Sequence, residues 1–115
     1  MDDEHELRWI GSSYADLLAF PADARRESGF QLGKVQAGLD PDDWKPFDDD
    51  GAGVREIRIR ELSGAFRVMY VAKFEGAIYV LHRFQKKSQT TAKHDKDITA
   101  ARFRAVMQQR RERKD

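Results

Sequence analysis

The stretch Arg83-Phe84-Gln85-Lys86-Lys87-Ser88-Gln89 interleaves one aromatic ring with cations, and no acid follows until Asp95. Cations grip phosphate, and an aromatic face stacks on a nucleobase. Arg58 and Arg60 alternate with Ile57 and Ile59, so they project together from one face of a strand. Arg67 interrupts a largely apolar segment, where a charge has to be paired or serve a ligand. Guanidinium groups also stabilise charge that builds on a phosphate in a transition state. These residue types in this pattern suit a polyanion, of which nucleic acid is the commonest. The competing explanation is a solvated positive sheet face, balanced by acids elsewhere in the chain.

Other chemistries lack their residues. The chain has no cysteine, which excludes disulfides, thiolate zinc sites and a cysteine nucleophile. His5, His82 and His94 fall on different elements without ligand spacing, and read as solvated or core-edge side chains. No Gly-x-Ser-x-Gly elbow occurs, and Gly51-Ala52-Gly53 lacks the Lys-Ser/Thr ending of a phosphate-binding loop. Asp48-Asp49-Asp50-Gly51 looks like the start of a calcium loop, but Ile57 stands where that loop needs its glutamate. A turn is the better reading there. No metal or cofactor is expected.

The elements that must carry the cations follow from length and patterning. A chain of 115 residues suits one domain spanning 1–115, with flexible tails over 1–6 and 110–115. No apolar run approaches the ~20 residues of a membrane span, and the N-terminus is acidic, so a cytoplasmic protein is expected. The net charge of +1 hides an asymmetry. Residues 1–50 hold 13 acids and 5 bases, whereas residues 51–115 hold 16 bases and 7 acids.

Leu7–Ile10 is a candidate strand, broken by Gly11. Ser13 is placed to cap a helix that buries Tyr14, Leu17 and Leu18. Pro21 suits the first position of a second helix over Ala22–Gln36. Gly29 and Gly33 share a face of that helix and predict close approach of another element. Residues 38–53 form an Asp-rich loop, pinned to the core by Trp44 and Phe47. Val54–Arg60, Phe66–Lys73 and Ala77–Phe84 predict an antiparallel three-strand meander. The alternation of the first strand predicts one face on the core and one in water. Gln85–His94 is polar and basic, and Ile98–Gln109 predicts a final helix. The order β-α-α-β-β-β-α is that of an α+β domain.

Val54–Arg60, Ala65–Phe74 and Ile78–Thr91 together resemble the HigB-type, phage-derived Gp49-like branch of the RelE/ParE toxin superfamily. The block Phe84-Gln85-Lys86-Lys87-Ser88-Gln89-Thr90-Thr91 is its most specific part. Gly29–Gln36 and Trp44-Lys45-Pro46 also fit, so the resemblance runs from about Leu7 to Phe103. It implies a helical hairpin packed on a mainly antiparallel sheet, with a C-terminal helix. It also implies the toxin of a type II toxin–antitoxin module, a ribosome-dependent, metal-independent endoribonuclease that cuts mRNA. The nucleophile would be the substrate's own 2′-hydroxyl.

On this resemblance Arg67 grips the scissile phosphate with Lys87, and Lys86 and Arg60 assist. Arg58, Arg60, Arg83, Phe84, Gln85 and Ser88 contact RNA. The implied partners are a helix-turn-helix (HigA-like) antitoxin encoded nearby, the ribosome and mRNA, and operator DNA through the antitoxin. The acid/base tyrosine or histidine of some relatives has no counterpart after Lys87, and His94 is a poor positional substitute. Relatives that inhibit gyrase without cleaving RNA, and inactive phage accessory proteins, are the alternatives on the same fold.

Overall fold

A computed structural model describes residues 5–47, 53–88 and 90–113. Its strands form one sheet in the order β1-β5-β4-β3-β2. The edge strand β1 (Glu6–Trp9) runs parallel to β5 (Ala77–Lys86). The others are antiparallel in turn: β5 to β4 (Gly64–Val71), β4 to β3 (Val54–Glu61), and β3 to the short edge strand β2 (Trp44–Pro46). The helices α1 (Ser13–Leu18) and α2 (Ala22–Gln36) cover one face. The long helix α3 (Lys93–Arg113) covers part of the other. This is the expected α+β architecture, with the helical hairpin, the meander and the C-terminal helix in place.

Two cores share the sheet. Leu17, Phe20, Leu32, Ile57, Ile59, Phe66, Val68 and Val80 pack together under α1 and α2. Val54, Met69, Val71, Tyr79, Leu81 and Val106 pack together under α3. The expectation of one dry and one wet face therefore needs correction. β4 and β5 are buried on both sides, because α3 lies over the end of the sheet where Val54 and Val71 pair. Only the other end of that face is open.

A β-bulge sets which residues reach that open end. Met69 pairs with His82 but Tyr70 pairs with Val80, so Leu81 is an extra residue in β5. Leu81 packs with the α3 core and His82 meets Asp95 of α3, so both point the same way. The alternation resets there. After it, Phe84 and Lys86 share the α3 side, while Arg83 and Gln85 turn toward α1 and α2.

Several local expectations change. Ser12, not Ser13, stands at the N-cap of α1, and its hydroxyl donates to Asp16 rather than accepting from the backbone. Ser13 is buried and donates to Val80 O at 3.0 Å, which ties α1 to β5. Pro21 is the N-cap of α2 with an extended ψ of 155°, one position earlier than predicted. Trp44–Pro46, expected as loop, is strand β2; Arg55 lies 3.9 Å from the centre of the Trp44 ring, and Phe47 is buried. A Cβ added at Gly29 or Gly33 would meet nothing within 4 Å, so the predicted close approach does not occur.

α3 starts at Lys93, earlier than Ile98, where Lys93 pairs with Asp97 one turn on, and it continues past Gln109. The expected tails are shorter: Glu6 lies in β1, and Arg110 in α3 donates to Tyr79 Oη at 3.1 Å. Residues 1–4 and 114–115, like the Asp48–Gly51 turn, lie outside the described residues.

Candidate nucleic-acid interface

The register builds the site row by row. Arg58 of β3 stands opposite Arg67 of β4, which stands opposite Phe84 of β5. In the next row Arg60 faces Ala65, and Ala65 faces Lys86. Lys87 and Ser88 follow at the end of β5. Alternation puts Arg58, Arg60, Arg67, Phe84 and Lys86 on the α3 side, and Lys87 and Ser88, past the end of β5, line the same grooves. They line a chain of shallow grooves. One of about 250 Å³ is lined by Asp43, Arg58, Arg60 and Arg67. A larger one of about 510 Å³ is lined by Arg60, Arg67, Lys86, Lys87 and Ser88. A third of about 200 Å³ runs from Phe84 and Lys86 to Thr90 and Asp95. Shared residues join them into one trough.

Two arginines directly opposite each other repel. Glu56, on the row behind, offsets this. Its Oε2 lies 2.8 Å from Arg67 Nε, off the line of a hydrogen bond, so the contact is an ion pair. Lys45 of β2 approaches the same carboxylate at 4.0 Å. Glu56 is 3% and Arg67 7% exposed. Arg67 Nη1 donates to Phe66 O at 3.0 Å. Arg67 also lines two of the grooves.

At one end of the trough Asp43 pairs with Arg58 at 3.1 Å, so an acid of the first half partly neutralises this arginine. Arg60, Lys86 and Lys87 have no ion-pair partner among the described residues. Burial, with Arg67 beside it, holds the Lys86 ammonium below its ordinary proton affinity; Lys45 and Arg58 act in the same direction against Glu56. A bound phosphate would relieve that cluster.

Two of the predicted RNA contacts lie elsewhere. Arg83 is 2% exposed on the α1 side, with its guanidinium 4.1 Å from the centre of the Phe20 ring. None of its guanidinium nitrogens has a hydrogen-bond partner among the described residues. Burial lowers its pKa to about 10, with only Asp16 opposing. The Gln85 side chain turns the same way, its Nε2 reaching toward Ser63 O at 3.5 Å, although Gln85 also borders the groove beside Phe84. Residue type suggested an RNA contact for both, but the bulge puts them on the far face. The trough therefore gathers Arg58, Arg60, Arg67, Phe84, Lys86, Lys87 and Ser88. Glu56, Asp43 and the pair His82–Asp95 are the polar residues here that residue patterning did not select. The alternation of β3 did place Glu56 beside Arg58 and Arg60. No group of three or more metal-ligating side chains comes together among the described residues.

The family model of the Phage derived protein Gp49-like family matches residues 15–104. The chain belongs to this family. The match takes in both hairpin helices, the meander and most of α3, so the likeness seen in Val54–Thr91 extends over most of the sequence. No curated protein matches the chain. Among solved structures, the chain is similar to one chain of the toxin–antitoxin complex RelBE2 from Mycobacterium tuberculosis. The TM-score is 0.53 at 20% identity, covering 72% of this chain and 99% of that one. At that identity the likeness is one of fold: the Gp49-like chain has the RelE-type arrangement of helical hairpin and sheet. No helix among the described residues is long and apolar enough to cross a membrane.

Proposed function

We propose that this Gp49-like protein is the toxin of a type II toxin–antitoxin pair and cuts mRNA on the ribosome. The observation that carries the reading is the open trough, where Arg58, Arg60, Arg67, Lys86 and Lys87 surround a single aromatic ring, Phe84. Family membership and the RelE-type fold support it. Arg67 and Lys87 hold the scissile phosphate and stabilise the charge that grows on it as the adjacent 2′-oxygen attacks. Arg58 and Arg60 hold the flanking backbone, Lys86 adds charge beside the phosphate, and Phe84 stacks on a base. A helix-turn-helix antitoxin, encoded nearby, would block the trough or ribosome entry and carry the pair to operator DNA.

Controlled expression in a bacterial host, with mRNA 5′ ends mapped genome-wide, tests this. Wild type should stop growth and create new ends inside coding regions. Arg60→Ala/Lys87→Ala should do neither, because it removes two trough cations that make no ion pair. Growth arrest with intact mRNA and damaged DNA would instead favour a gyrase-type inhibitor.

A further inference from the structure

The trough as read above holds cations for a phosphate but lacks a group to take the 2′-hydroxyl proton. Arginine keeps its proton to a pH above ~12 and is a poor base. Three carboxylates stand near. Glu56 is buried against Arg67, and Asp43 is paired with Arg58 at the far end. Asp95, in the first turn of α3, lines the groove beside Phe84, Lys86, Lys87 and Ser88.

Asp95 is held from behind. Its Oδ1 lies 2.7 Å from Nε2 of His82, and Thr99 Oγ1 donates to its backbone carbonyl at 2.9 Å. His82 is buried and stacked on Phe84, with ring centroids 5.3 Å apart. Its Nδ1 is buried without a partner among the described residues. Burial lowers the proton affinity of His82 despite Asp95, so the imidazole is neutral and donates Nε2–H to the carboxylate. That hydrogen bond fixes Oδ1, and Asp95 itself lines the groove. A carboxylate anchored through one oxygen and lining a groove with Lys86, Lys87 and Ser88 has the form of a general base.

We infer that Asp95 takes the 2′-hydroxyl proton and that His82 positions it, an assignment that rests on the ribonuclease reading of the trough. The proton passes from the 2′-oxygen to the Asp95 carboxylate as that oxygen bonds to phosphorus. The bond from phosphorus to the 5′-oxygen breaks, and the Lys86 ammonium gives that oxygen a proton. The products are a 2′,3′-cyclic phosphate and a 5′-hydroxyl, and water restores both side chains. Lys86, which also lines this groove, is suited to give up its proton by the burial and neighbouring cations already described.

The test is single-turnover cleavage of ribosome-bound mRNA by wild type, Asp95→Asn and His82→Gln, over a range of pH. Ribosome affinity and thermal midpoint are measured on the same proteins. Asn keeps the oxygen that faces His82 but cannot accept the proton. Asp95→Asn should lose about a hundredfold or more in rate with affinity and midpoint unchanged. Its residual rate should climb with pH without levelling, as hydroxide replaces the base. His82→Gln should lose less and shift the pH at which the rate levels. The groups facing Asp95 that set this profile are His82 from β5 and Lys86 and Lys87 from the groove, with Asp16 and Arg102 acting on His82. An Asp95→Asn rate near wild type would overturn the assignment while leaving the ribonuclease reading intact. So would a loss matched by weaker ribosome binding or a lowered midpoint, which would mark a structural latch. Wild type that cuts no mRNA would overturn both.

Discussion

Arg67 and Arg83 are both buried arginines on neighbouring strands, and they have opposite standing. Arg67 has a carboxylate at 2.8 Å and an open trough before it. Removing one partner of a buried pair costs about 3–5 kcal/mol. Arg67→Ala would therefore unfold much of the protein and report on stability, so Arg67→Lys is the better functional probe. Arg83 has the Phe20 face and the charge of Asp16, with no hydrogen bond among the described residues. Replacing it by Met keeps the length and apolar contact and removes a desolvated charge. Arg83→Met should raise the unfolding free energy by about 1 kcal/mol or more in urea titration. RNA cleavage should not change, because the side chain faces α1. A destabilised variant would show that Arg83 has a compensating partner. In sequence the two arginines look alike. What separates them is the register, and the extra residue at Leu81 leaves no mark in residue type.

At the scale of elements, His82 and Asp95 join β5 to the first turn of α3. Burial is the main influence on His82 and lowers its proton affinity; Asp95 and Asp16 oppose it and Arg102 adds to it. The folded chain then binds fewer protons here than the unfolded chain. This contribution to stability is complete above the unfolded histidine pKa of about 6.5, and is lost as pH falls through the lowered folded value. Thermal melts between about pH 7.5 and 5.5 should show stability falling on acidification, and His82→Gln should flatten the curve. An unchanged slope in that variant would assign the acid sensitivity to other groups.

Periodicity made the meander legible, because Ile57 and Ile59 alternate, and Pro21 marked where α2 begins. Periodicity missed β2, a three-residue edge strand held by Trp44 stacking on Arg55, and the first turn of α3, which is polar. Gly29 and Gly33 suggested a close approach that the open surface beside them does not provide.

Across the whole molecule, the acidic first half and basic second half separate less cleanly than their totals suggest. Asp40 pairs with Arg55 at 2.9 Å, Asp42 with Lys34, and Asp43 with Arg58. Part of the acidic charge therefore does neutralise cations, including one at the edge of the trough. Arg60, Lys86 and Lys87 make no ion pair among the described residues, and they lie where α3 leaves most of the sheet face open. The RNA reading proposed above rests on that separation more than on the net charge of +1.

The most direct measurement is to give the purified protein a ribosome with mRNA in place and to analyse the cut ends chemically. Attack by the 2′-hydroxyl predicts upstream fragments ending in a 2′,3′-cyclic phosphate and downstream fragments beginning with a 5′-hydroxyl. Uncut mRNA, or downstream fragments carrying a 5′-phosphate, would contradict it.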